Sequence, residues 1–87
     1  MALSTDQERI ILKIDSKLDL LLKNMEYEDY LKFIKSDDYL STYDDVLGYY
    51  EIQYLPDVFL KGLTIDFLNK VLDKVDKKIK ELKIEEQ

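Results

Sequence analysis

Residues 64–84 read TIDFLNKVLDKVDKKIKELKI, and their apolar members Ile65, Leu68, Leu72, Val75, Ile79 and Leu82 recur at intervals of 3, 4, 3, 4 and 3. Such intervals return to one face of an α-helix, whereas a strand would need strict alternation. Thr64 is placed to cap the helix, because its hydroxyl can accept one of the backbone N–H groups that the first turn leaves unpaired. Acids precede lysines by four residues at Asp66–Lys70, Asp73–Lys77 and Asp76–Lys80, an order that adds about 0.3 kcal/mol per pair on an exposed face. At 1.5 Å per residue the segment is a rod of about 30 Å.

The same rhythm governs the other end of the chain. Ile11, Ile14, Leu18, Leu21 and Met25 are spaced 3, 4, 3 and 4 apart. Ser4 or Thr5, followed three residues later by Gln7 or Glu8, forms a capping-box pattern. The reading is a helix over 5–24, with Leu12 and Leu20 off its apolar face. Two rods of equal length, each with one greasy side, decide the fold class: an all-α small bundle of three to four helices with long amphipathic helices at both ends.

Between the rods the pattern is less regular. The stripe changes phase near Asn24–Glu26, and Tyr27, Tyr30, Leu31 and Ile34 predict a helix over 26–35. Ser36-Asp37-Asp38 reads as a terminator or turn. Leu40, Tyr43, Leu47, Tyr50 and Tyr54 repeat the helical interval, and Thr42 with Asp45 resembles another capping box, so the next helix is expected over 42–54. Gly48 falls inside it at a cost of about 1 kcal/mol relative to alanine. The alternation in Glu51-Ile52-Gln53-Tyr54 leaves a short strand over 49–54 as the alternative. Pro56 then opens a short turn over 56–61, closed by Gly62.

Composition narrows the functional classes. The 87 residues form one domain of 46% hydrophobic and 37% charged residues, enough apolar content to argue against disorder. With no cysteine and no histidine, disulfides and thiolate metal sites are excluded, and the usual general base is absent. No nucleophile–histidine pair or glycine-rich phosphate loop is present. The aspartate pairs Asp37-Asp38 and Asp44-Asp45 lack the alternating ligands and distal glutamate of a calcium loop. The expectation is therefore no catalytic residue, no metal and no cofactor. No apolar run approaches the roughly 20 residues of a membrane span, and the start has no secretory pattern, so a cytoplasmic protein is expected.

Charge is distributed unevenly around a net of −6. Residues 26–57 hold nine acids against Lys32 and Lys35, while residues 70–83 hold six lysines against Asp73, Asp76 and Glu81. All seven tyrosines lie between residues 27 and 54, within the acidic stretch. Tyrosine combines an apolar ring with a polar tip and is enriched at interfaces. Tyr39, Tyr43, Tyr50 and Tyr54 share a helical face with Leu40 and Leu47 and are assigned to the core. Tyr49 and Ile52 point the other way, so Tyr49, Glu51, Ile52, Asp44 and Asp45 form the candidate partner surface.

Two packings remain open for the long stripes. They can close on each other within one chain, or Ile11, Ile14, Leu18, Leu21, Leu68, Leu72, Val75 and Ile79 can pair with a second copy to complete a homodimer, since a domain this small has little surplus stability. The leading functional expectation is a protein–protein interaction module: an adaptor, an assembly factor, or a virus- or plasmid-encoded inhibitor. One alternative is an acidic inhibitor that imitates nucleic-acid charge. The other is a DNA-binding accessory protein using Lys70, Lys74, Lys77, Lys78, Lys80 and Lys83, although the interleaved acids and the acidic middle make nucleic acid an unfavourable partner.

Overall fold

In the computed structural model, which describes residues 3–51 and 54–86, the chain builds α1 (Thr5–Asn24), α2 (Tyr27–Lys35), α3 (Asp38–Leu47), α4 (Asp57–Leu60) and α5 (Ile65–Glu81). The described residues contain no strand, and the fold is an all-α bundle dominated by its two long terminal helices. α1 begins where its capping box lies. Ser4 Oγ accepts from Gln7 N–H at 3.2 Å, and the Gln7 side-chain oxygen accepts from Ser4 N–H at 2.8 Å. Thr64 caps α5 in the same way, its hydroxyl accepting from Phe67 N–H at 3.1 Å.

The long helices lie side by side and run in the same direction. Near their starts the Gln7 side-chain amide donates to the Leu63 carbonyl at 2.6 Å, and farther along Lys17 meets Asp76 at 2.7 Å. α3 runs the opposite way, since Asp37 pairs with Lys74 while Tyr39 sits beside Phe67 and Lys70. α2 bridges the ends of α1 and α3. Ile11, Ile14, Leu18 and Leu21 of α1 meet Leu68, Val71, Val75 and Ile79 of α5 in one core, joined by Ile34, Leu40, Tyr43, Val46, Leu55 and Leu63.

Seven of the eight positions weighed for self-association lie buried in this core, and Leu72 is half-buried. Their apolar surface is already covered within one chain, which leaves it unavailable to a second copy while the bundle is closed. The buried line of α5 also differs from the expected seam. It runs Leu68, Val71, Val75, Ile79, while Ile65 and Leu82 are exposed. A straight helix turns every 3.6 residues, so a strict seven-residue stripe drifts off the contact line, and Val71 takes the place expected for Leu72. Asp76 likewise serves Lys17 on the neighbouring helix rather than Lys80.

The third helix is the main departure from expectation. It starts four residues before Thr42 because Asp37 accepts from both Tyr39 N–H at 2.9 Å and Leu40 N–H at 3.1 Å. Partial burial opposes charge on Asp37, but the Lys74 ammonium and these N–H groups hold its carboxyl below the ordinary value. The helix ends at Leu47 with Gly48 as its C-cap. Gly48 has an ordinary φ of −74°, yet a Cβ there would stand 2.4 Å from the Asp44 carbonyl oxygen. Lack of a side chain is what that turn requires. Among the described residues of 49–54, neither the expected helix nor the alternative strand forms.

α5 also stops earlier than the apolar pattern suggests. Lys83 adopts φ 55°, Ile84 N–H donates to the Ile79 carbonyl at 3.2 Å, and Lys83 N–H donates to the Lys80 carbonyl at 3.1 Å. This is a Schellman closure in which lysine occupies the left-handed position that glycine usually takes. The reversal returns Ile84 to the core and brings Glu86 onto Lys17.

Two stability measurements follow. Ile14→Ala and Leu68→Ala should each lose about 2–5 kcal/mol in urea unfolding through cavity formation, whereas Leu12→Ala should stay within about 0.5 kcal/mol. Lys83→Gly removes Cβ strain but loosens the unfolded chain, so it should raise stability by up to about 1 kcal/mol. A loss would show that the Lys83 side chain holds the reversal.

Candidate functional site

The polypeptide leaving α3 cannot continue as helix past Gly48, and Pro56 forces it extended before the single turn of α4. This break creates a corner. Tyr50 is half-buried, with its ring centroid 5.5 Å from Phe59 of α4, and Tyr49 leans on Tyr50 at 5.8 Å. Tyr49 remains 86% exposed, the largest exposure of any bulky apolar residue described. Asp44 and Asp45 are exposed on the last turns of α3, and Glu51 is exposed just beyond Tyr49. Four of the five residues expected at a partner surface are therefore exposed on the last turns of α3 or just beyond its end. The fifth, Ile52, lies outside the described residues.

Two further residues near this chain break are exposed against expectation. Tyr54 was assigned to the core with Tyr39, Tyr43 and Tyr50, but it is 70% exposed, and Val58 of α4 is 72% exposed. The core assignment assumed a helix through residue 54. Once the helix ends at Leu47, the helical register no longer reaches Tyr54. Gly48 and Pro56, eight residues apart, were the available signal. Of that group of four, only Tyr43 is fully buried, and Tyr39 lies at the surface with Lys70 and Lys74 over its ring at 5.4 and 5.6 Å.

Behind the corner, Tyr43 crosses from α3 to α1. Its hydroxyl donates to Asp15 Oδ1 at 2.8 Å and lies 3.4 Å from the Ile11 carbonyl oxygen. Burial raises the Tyr43 pKa far above that of a free phenol, and the Asp15 charge adds to the effect. Asp15 is itself raised. Although the residue as a whole is exposed, partial loss of water around its carboxyl disfavours the charge most, the Tyr43 hydrogen bond offsets part of this, and Asp19 repels it. Tyr30 of α2 is raised by burial and by Asp44, Asp19 and Asp15 around it. Acids of α1 and α3 thus lie close enough to Tyr30 and Tyr43 to disfavour ionisation of both phenols.

The lysine face of α5 is of another kind. Lys70 pairs with Asp66, Lys74 with Asp37 and Lys78 with Glu81, and Lys78 also covers the Phe33 ring at 5.5 Å. Half of the six lysines weighed as a nucleic-acid stripe are therefore engaged with the chain's own acids. Among the described residues no group of three or more acidic side chains converges in a manner suited to a metal ion, and no helix is long and apolar enough to cross a membrane.

Comparison of the chain with family models, curated proteins and solved structures gave no match. The corner and its surroundings must be read from their own chemistry.

The raised Asp15 carboxyl gives a pH test. A folded-state pKa above the unfolded value contributes stability that is complete below the ordinary carboxylate range and is lost as pH rises through the folded value. At neutral pH the charge is thus a net cost. Asp15→Asn keeps an acceptor for Tyr43 without that charge, so its melting temperature should exceed the parent's at pH 7, with the gap closing as pH falls to about 4. A lower melting temperature at pH 7 would mean that the ionised carboxylate is what holds Tyr43.

Proposed function

We propose that this protein is a non-enzymatic interaction module that holds a basic protein partner at the corner formed by Tyr49, Tyr54 and Val58 with Asp44, Asp45 and Glu51. The observation that carries this reading is the exposure of Tyr49 at 86% in a domain that buries fourteen other hydrophobic residues to 9% or less. An aromatic ring kept in water costs hydrophobic free energy that folding left unclaimed, and a partner that covers it recovers that term. The acids beside it favour a partner with lysine or arginine at its rim and speed the encounter. An adaptor, an assembly factor or an inhibitor would each use such a surface.

The charge-mimic reading draws on the same acids but gives the exposed rings no role. The lysine-based DNA reading must contend with the ion pairs that already engage Lys70, Lys74 and Lys78. The apolar part of the corner therefore favours a protein.

The test begins with affinity capture from the native host, followed by titration of the purified captured protein. A Tyr49→Ala/Tyr54→Ala variant should bind at least about 10-fold more weakly, as expected for loss of aromatic anchors. Its melting temperature should change little, because neither ring is buried. Unchanged affinity would overturn the proposal. A steep loss of affinity between about 50 and 200 mM salt, with no effect of the tyrosine changes, would instead support charge mimicry.

A further inference from the structure

After α5 ends at Glu81, the tail reverses and runs back beside the line where α5 meets α1. Asp76 and Glu86 reach the same Lys17 ammonium, at 2.7 and 2.5 Å, although they stand ten positions apart in the chain. Glu86 therefore lies at the level of Asp76, and the tail flanks the α1–α5 seam to arrive there. On the way Ile84 is half-buried against the core. Glu85 and Glu86 then border a shallow groove with Lys13, Ser16, Lys17 and Leu20 of α1.

The hinge of this segment opposes its docking. Lys83 sits at φ 55°, a left-handed backbone that a residue with a Cβ keeps only while its surroundings enforce it. The enforcing contacts include the bonds from Lys83 N–H to the Lys80 carbonyl and from Ile84 N–H to the Ile79 carbonyl. The Ile84 side chain on the core and the Glu86 carboxylate on Lys17 add to them. The bridge at Lys17 is asymmetric. Asp76 belongs to α5 and is partly shielded, whereas Glu86 is on the tail and more open to water. Hydrogen bonds to Asp76 and then to Glu86 hold the Lys17 ammonium above the ordinary lysine pKa. If Glu86 departs, Lys17 still has Asp76, so the ion pair that joins α1 to α5 survives. Release of the tail strands no charge in the bundle.

We propose that Ile84–Glu86 is a hinged strap along the α1–α5 seam, latched by Lys17, that opens at Lys83 while the helices stay folded. The closed strap keeps water from the part of the core under Ile84, and the open strap exposes it. Because the latch is an ion pair near the surface, dissolved salt weakens it. Exposure of the seam is thereby tied to ionic strength. The buried faces of α1 and α5 lack that sensitivity, since the side chains that meet there are apolar.

Amide hydrogen exchange of the full chain, followed residue by residue by nuclear magnetic resonance at one pH, tests this. Each rate is divided by the intrinsic rate of that amide, so a neighbouring substitution does not distort it. The Ile84 amide should be protected, yet at least about 10-fold less than Val71 and Val75 of α5, as expected of a segment that opens alone. Glu86→Gln should lower Ile84 protection by about 2- to 5-fold, the worth of an exposed ion pair, and leave Val71 and Val75 unchanged. Glu85→Gln keeps the latch and should change none of the three. Raising salt from about 50 to 500 mM should repeat the Glu86→Gln effect in the parent and add nothing in that variant. The proposal is overturned if the gap between Ile84 and the core amides is smaller, or if Ile84 exchanges as fast as an unstructured peptide. It is also overturned if Glu86→Gln leaves Ile84 unchanged, if Glu85→Gln acts equally, or if Glu86→Gln speeds Val71 and Val75 by the same factor.

Discussion

Water is excluded along the line where α1 meets α5, and the remaining architecture follows from that contact. Four apolar residues from each helix are buried there, each worth about 1.5–3 kcal/mol in transfer from water. The two helices point the same way, an arrangement that a short loop cannot make. The forty residues between Asn24 and Ile65 must therefore travel back along the bundle before α5 can begin. α3 makes that return, and α2 carries the chain across to it. On that return leg the buried Tyr43 reaches α1 with its hydroxyl. Leucine could not perform that task, because the reach ends in a hydrogen bond to the Asp15 carboxylate.

Much of this was legible before any coordinates. α1 was bounded correctly because Ser4 and Gln7 satisfy each other's backbone donors, a local interaction that sequence spacing reports directly. Thr64 marked the start of α5 for the same reason. α3 was less legible because its first residues have two valid local readings. Asp37 can end one helix or begin another; it begins α3 by accepting from Tyr39 and Leu40 N–H, and Lys74, thirty-seven positions away, pairs with it there. Gly48 was read as a tolerated weak point, whereas its closeness to the Asp44 carbonyl makes it the place where the helix stops. The reversal at Lys83 gave no signal, since lysine is not a residue that announces left-handed backbone. The relative direction of the long helices was equally invisible in their stripes, which read the same in either sense.

The candidate surfaces divided similarly. Tyr49 was recognisable because it fell opposite the apolar face in any helical register, and it stayed outside when the register ended. Tyr54 depended on the helix continuing and was misplaced when it did not. The Asp66–Lys70 pair of α5 is legible in the sequence, but only the fold shows that Lys74 finds Asp37, that Lys78 finds Glu81, and that rings from α2 and α3 lie beneath these lysines. The C-terminal tail adds one more such pairing, since its reversal at Lys83 carries Glu86 to Lys17. The exterior thus includes exposed rings and acids after α3 and a lysine face partly neutralised by the chain's own acids.

The placement of Tyr43 also gives the protein a built-in optical gauge. There is no tryptophan, so near-ultraviolet absorbance comes mainly from the seven tyrosines. Tyr43 is the buried phenol, tied to a carboxylate on another helix. Ionising it inside the bundle would set a second negative charge against Asp15, so the fold resists alkali at this oxygen more than an unfolded chain would. That resistance becomes a liability as pH climbs past about 10, the ordinary tyrosine value, where the unfolded chain gains by releasing the proton. Phenolate absorbance from this residue should therefore signal that α3 has parted from α1, reporting the opening of the bundle without an added dye.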